Sequence, residues 1–147
     1  MEGDTTVSET LGDNEMRIFF GGTCNNSTWR NVLIPALEKR NLEFFNPVVK
    51  NWNEEARRIE NDIKGRSDTV QLFVITSHMT GVFSIAEVVD ASNKCPDRTV
   101  FMIDFIGFDD SEKMSLRAVQ GIVKSNGAKS TDNWDHLIDI LEVVCGV

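Results

Sequence analysis

The sequence predicts an α/β fold, a doubly wound five-stranded parallel sheet in the order 2-1-3-4-5 with helices on both faces. Two observations carry this. Short apolar runs alternate with longer segments of 3.6-residue period along the whole chain, with no internal repeat and no linker. The central run "TVQLFVIT" (69–76) is apolar on both faces, as a strand covered from both sides must be. Parallel strands need crossovers, and right-handed crossovers place helices on both faces of the sheet. The strand order is the flavodoxin-like one.

Residues 1–14, "MEGDTTVSETLGDN", show no apolar period and are expected to form a flexible acidic tail. Residues 15–147 suit a single domain, for which about 100–150 residues is usual. "MRIFF" (16–20) reads as a first strand ending in Gly21-Gly22. "NSTWRNVLIPALEKR" follows as a helix with Ser27 or Thr28 as N-cap and Trp29, Val32, Leu33, Ala36 and Leu37 on its apolar face; Pro35 predicts a kink or break. "LEFFNP" (42–47) is a second strand, and "NEEARRIENDIKG" (53–65) a polar helix with acidic first turns and Gly65 at its end. After the central strand come a helix over 82–93, a strand "RTVFMIDF" (98–105) and a helix over 111–127 with Gly127 at C′. A short strand at 128–130 and a last helix "DNWDHLIDILEVV" complete the pattern.

Composition excludes several functions. The net charge of −8, with Lys and Arg dispersed, argues against a nucleic-acid polymer as partner. Three scattered cysteines, never paired as CxxC, argue for a reducing compartment and against a disulfide framework or zinc site. His78 and His136 have no spaced ligand partner, so no metal is expected. No apolar run approaches the roughly 18 residues a membrane span needs, and the acidic N-terminus is unlike a secretory leader. The cytoplasm is the expected compartment.

Ligands of open α/β sheets sit beyond the carboxyl ends of the strands, near the switch point between strands 1 and 3. The loops delivered there supply the binding candidates: Gly21, Gly22, Thr23 and Asn25; Asn46, Asn51 and Trp52; Met79, Gly81 and Ser84. The paired glycines allow either close backbone approach to a ligand or a plain strand-to-helix turn. They form neither GxGxxG nor GxxxxGK[ST]. Trp52 could stack on a base or close an apolar lid. Trp29 and Trp134 read as packing residues, and Asp109-Asp110 and Glu54-Glu55 as helix caps or solvated faces. In "ITSHMTGVFSIAEVVDAS" (75–92), Glu87 lies within the first two turns of its helix, bracketed by Ile85, Val88 and Val89, which should face the sheet. It is either a carboxylate aimed into a site or a solvated residue at the edge of the apolar face.

"IFFGGTCNNSTWR", "FFNPVV" and "LFVITSHMTGVFSIAEVVD", with this strand order, resemble the nucleoside 2-deoxyribosyltransferase-like proteins over about residues 16–125. The resemblance implies cleavage of N-glycosidic bonds of deoxynucleosides or their monophosphates, with the sugar passed to another base or to water. It implies no metal or cofactor. It implies a homo-oligomer, a dimer or larger, whose subunits complete each other's pockets. The family's nucleophile is a glutamate in the helix after strand 3, the place of Glu87. Its strand-1 tyrosine falls at Phe19, the aspartate six residues before the nucleophile at Gly81, its helix-2 acid at Glu60 or Asp62, and its base-contacting glutamine near Asn51. The chain has no tyrosine. Asp104 or Asn25 are candidates to stand in for the displaced helpers.

Two readings remain open from the sequence. One is a glycosyl-transferring enzyme with Glu87 as catalytic nucleophile, an NAD-cleaving relative being a weaker variant. The other is a module that binds a nucleotide or ADP-ribose-type ligand in the same pocket without cleaving it.

Overall fold

The computed structural model describes residues 16–23, 28–46, 53–79 and 82–146. The expected tail, and Asn25, Asn51, Trp52 and Gly81 among the expected site residues, lie outside the described residues. Five strands, β1 (Arg17–Gly22), β2 (Glu43–Phe45), β3 (Thr69–Ile75), β4 (Thr99–Ile103) and β5 (Lys129–Thr131), pair in parallel in the order β2-β1-β3-β4-β5. Five helices alternate with them: α1 (Trp29–Lys39), α2 (Glu54–Lys64), α3 (Phe83–Lys94), α4 (Asp110–Ser125) and α5 (Trp134–Cys145). This is the flavodoxin-like α/β architecture the alternation predicts. No helix among the described residues is long and apolar enough to cross a membrane.

The period of two along each strand sorts side chains to the two faces. Ile18, Phe20, Leu72, Val74 and Met102 meet Leu33 and Leu37 of α1 and Leu137 and Leu141 of α5 on one face. Phe73, Ile75, Phe101 and Ile103 meet Val88 of α3 and Leu116 and Val123 of α4 on the other. Phe19 and Phe45 stack 5.6 Å apart on that second face and receive Ile63 of α2, with Ile59 packed alongside. Each fully buried apolar side chain contributes about 1.5–3 kcal/mol, so these stripes fix which side of every helix faces inward. Val88 is fully buried, and Ile85 and Val89 are partly buried against the same cluster, as their spacing requires.

The elements depart from the sequence reading in four places. The paired glycines do not follow β1 but belong to it: Gly21 pairs with Phe73 and Gly22 with Val74. A Cβ on Gly21 would stand 3.0 Å from the Phe73 ring, and one on Gly22, at φ +110°, would fall 1.9 Å from the Val74 carbonyl oxygen. These glycines let the two strands come together. Pro35 lies inside α1 without ending it. Both Pro35 and Asn31, whose carbonyl loses its helical donor there, are exposed, so water can serve that carbonyl. Gly65 caps α2 with φ −76°, a right-handed conformation that makes no use of glycine's freedom, whereas Gly127 after α4 does take positive φ, +102°. β4 is shorter than its apolar run, because Pro96–Arg98 form a 3-10 turn and Asp104 and Phe105 extend past the sheet. Asp109 caps α4, its carboxylate accepting from Glu112 N while Glu112 Oε1 accepts from Asp109 N.

Candidate active site

Two helices on the same face of the sheet bring the chemistry together. In α2 the residues at 59, 60, 63 and 64 fall on one stripe. Ile59 and Ile63 seat it on the Phe19–Phe45 rings. Glu60 and Lys64, one position on from each, are thereby carried inward beside the apolar contact, both half-buried. In α3, burial of Val88 turns Glu87 toward α2.

The two meet. Lys64 Nζ donates to Glu87 Oε2 at 2.8 Å, the side chains being 19% and 24% exposed. The same ammonium lies 5.6 Å from the centroid of the Phe19 ring. The other cations of α2 behave differently: Arg57 and Arg58 pair outward with Glu54, Glu55 and Asp62. Glu60 is desolvated by burial, which pushes its pKa up to about 7, and the Glu87 charge adds to the rise while Lys64 and Arg30 oppose it. At neutral pH the cleft therefore holds one ion-paired carboxylate and one carboxyl poised to give or take a proton.

Glu87 opens into a hollow of about 420 Å³ between α2 and α3, lined by Lys64, Gln71, Phe83, Asp90, Lys94 and Arg98 among others. Its other cations are engaged: Lys94 with Asp90 at 3.0 Å, and Arg98 with the carbonyls of Arg66 and Thr69 at 2.7 and 2.8 Å. A larger groove of about 1140 Å³ runs on the far side of α3 against α4, but its lining is mainly apolar and excludes Glu87. The convergence of titratable groups, not volume, makes the α2–α3 cleft the candidate site.

A second cluster buttresses the carboxyl end of the sheet. Thr23, buried, donates its N–H to the Val74 carbonyl at 2.8 Å, and its hydroxyl accepts from Thr76 N at 3.0 Å. Its carbonyl accepts from Trp29 Nε1 at 2.8 Å and from Arg30 Nη1 at 2.9 Å. Arg30 also donates to Asn46 Oδ1 at 3.0 Å and stacks 4.2 Å over the Trp29 ring. One buried guanidinium thus ties the ends of β1 and β2 to the first turn of α1 while drawing on the charge of Glu60.

A protein-family model described as "Nucleoside 2-deoxyribosyltransferase like" matches residues 15–104, which span β1 to β4 and carry Phe19, Glu60, Lys64 and Glu87. The chain belongs to the nucleoside 2-deoxyribosyltransferase-like family. Comparison with curated proteins matches none of them.

Within this family member the expected site residues divide. Phe19, Glu60 and Glu87 gather around Lys64, and Thr23 and Asn46 join them through Arg30. Gly21 and Gly22 serve the β1–β3 pairing. Ser84 stands half-buried in the first turn of α3. Met79 packs on the α3–α4 side and lines the large groove, away from the Glu87 hollow. Asp104 is also apart: it accepts from Ile106 N at 3.1 Å and Trp134 Nε1 at 3.4 Å, lining a hollow against α1 and α5. Asp62 is exposed and pairs with Arg58, which leaves Glu60 as the inward acid of α2. Sequence reasoning missed Lys64 and Arg30. The available signal for Lys64 was its place four residues after Glu60 on the stripe of Ile59 and Ile63. Among the described residues, no group of three or more His, Cys, Asp or Glu side chains could hold a metal ion.

Proposed function

We propose that this protein transfers or hydrolyses the glycosyl group of (deoxy)nucleosides or their 5′-monophosphates, with Glu87 as nucleophile. The observation that carries the reading is the Glu87 carboxylate, partly exposed in the α2–α3 cleft and beside a second carboxyl of raised pKa. Two carboxyl groups in unlike environments divide nucleophile from acid, as in retaining glycoside hydrolysis. Glu87 attacks C1′, the C1′–N bond breaks with its electron pair going to the base, and protonated Glu60 supplies the proton the base requires. The resulting glycosyl-enzyme is resolved by an acceptor base or by water, Glu60 now accepting the proton. The site binds and works without a metal or cofactor. Residues 15–147 act as one domain, in the cytoplasm, as a homo-oligomer of two or more copies. Asn25, Asn51, Trp52 and Gly81, by their place in the strand-end loops, and Ser84, in the first turn of α3, belong to the proposed substrate surroundings.

Incubation with the four natural deoxynucleosides and their 5′-monophosphates, read by chromatography, tests this. Free base, or exchange with an added base, supports the reading, and its absence from the Glu87→Ala protein assigns it to that residue. Full turnover in that variant removes the reading.

One observation favours a second reading. Phe19 stacks on Phe45 and carries no hydroxyl to the cleft, and Lys64 already neutralises Glu87. A non-cleaving nucleotide or ADP-ribose-type binder with this pocket would be stabilised by ligand, raising the melting temperature without release of base.

A further inference from the structure

We infer that Lys64 is a positioning residue for Glu87, holding Oε2 so that Oε1 faces the sugar, and that its charge speeds resolution of the glycosyl-enzyme. The inference rests on the reading of Glu87 as nucleophile.

The geometry is specific. Lys64 ends α2, where its ammonium lies 5.6 Å from the Phe19 ring centroid and reaches a neighbouring helix rather than solvent. It makes one 2.8 Å contact, to one carboxylate oxygen. The terminal torsion of a glutamate is broad and soft, so a free carboxylate samples many orientations. A charge-assisted bond to Oε2 removes that freedom and leaves the other oxygen for attack. Among the described residues lining the hollow, the remaining cations are engaged elsewhere, Lys94 by Asp90 and Arg98 by backbone carbonyls.

The charge has a separate and directional effect. When Oε1 bonds to C1′ and the base leaves with the C1′–N electron pair, Glu87 becomes a neutral ester and its attraction to Lys64 weakens. When an acceptor nitrogen or a water oxygen bonds to C1′, the C1′–Oε1 bond breaks, its electron pair returns to the carboxylate, and the acceptor's proton passes to Glu60. The attraction is then recovered. It is greatest for the free carboxylate, smaller in either transition state and smallest in the ester. Through its charge Lys64 therefore raises the barrier to forming the glycosyl-enzyme and lowers the barrier to leaving it, since only an interaction that differs between ground and transition state changes a rate. Ordering one soft torsion works the other way on the first step but is worth less than a hydrogen bond to a charged group, so the charge decides.

A residue that merely braces the fold would slow both steps alike. Rapid-quench assays with the four natural deoxynucleosides and their 5′-monophosphates separate the two cases, comparing wild type with Lys64→Met and Lys64→Arg. In Lys64→Met the ratio of first-turnover to steady-state base release rises about tenfold or more, the size of one charge-assisted hydrogen bond expressed as a rate. Glycosyl-enzyme accumulates in the intact-mass spectrum, and Lys64→Arg restores most of the steady-state rate. An unchanged ratio in a folded Lys64→Met protein overturns the inference. If that variant fails to fold, Lys64→Gln, which keeps a donor for Oε2 without the charge, decides by the same ratio. Silence of the wild-type protein on all these substrates brings down the nucleophile reading and this inference with it. An active wild type with an unaltered ratio in the variant overturns this inference alone.

Discussion

The Lys64 ammonium on α2 donates a 2.8 Å hydrogen bond to Glu87 Oε2 on α3 and lies 5.6 Å from the Phe19 ring centroid. That bond joins the two helices, and both of its partners act on the charge of Glu60, one turn earlier on α2.

Glu60 is expected to shape the pH dependence of stability and, on the proposed reading, of activity. Burial raises its pKa from 4.5 to about 7 in the folded protein. Between those values the folded state binds a proton that the unfolded state has released, so stability falls as pH rises through this window. Glu60→Gln is expected to remove that slope and to be the more stable protein at pH 8, as pH-resolved thermal melts will read. With protonated Glu60 as the proposed acid for the leaving base, wild-type single-turnover base release is expected to decline above pH about 7. Glu60→Gln is expected to lose that decline along with about 10²- to 10⁴-fold of rate, the usual worth of a general acid.

Arg30 is a buried cation serving the Thr23 carbonyl and Asn46 Oδ1. Arg30→Leu is expected to cost about 2 kcal/mol in denaturant unfolding, because bonds to a charged donor are lost. It also removes a cation that holds Glu60 down, so the alkaline limb of activity is expected to move to higher pH. A variant with unchanged stability and an unchanged profile would separate Arg30 from the site.

Gly22 and Gly146 both take positive φ, +110° and +77°, yet they differ in surroundings. A Cβ at Gly22 meets the Val74 carbonyl oxygen at 1.9 Å, whereas one at Gly146 meets nothing within 4 Å. Gly146→Ala is expected to cost about 1–2 kcal/mol, the strain of the backbone conformation alone. Gly22→Ala is expected to cost at least about 3 kcal/mol, because the β1–β3 pairing must also open. Equal costs in chemical denaturation would place Gly22 outside that ladder.

The strand order and the alternation of elements were legible because buried parallel strands and amphipathic helices carry opposite periods. Glu87 was legible because an acid stood among Ile85, Val88 and Val89. The role of the paired glycines was not: a sequence reads glycine as a break, while here two neighbouring strands need its missing side chain at Phe73 and Val74. Lys64 was hidden in a helix dense with charge, where neighbours such as Arg57 and Arg58 are solvated and only the packing of Ile63 turns one lysine inward. Arg30 was hidden because buried arginines are uncommon, and its partners Thr23 and Asn46 are distant in sequence from one another. Asn25, Asn51, Trp52 and Gly81 lie outside the described residues.

Glu87→Gln keeps the shape of the side chain and an acceptor for Lys64 while removing the proposed nucleophile. It is expected to fold with stability within about 1 kcal/mol of wild type. Single-turnover base release is expected to fall by at least about 10³-fold, since no other group replaces a covalent nucleophile.

The most direct measurement is acid quenching during turnover, followed by intact-mass and peptide mapping. The account predicts one glycosyl unit attached to the peptide containing Glu87, present in wild type and absent in Glu87→Gln. Base release at full rate with the sugar on another residue, or with no adduct and no loss of rate in Glu87→Gln, would contradict it.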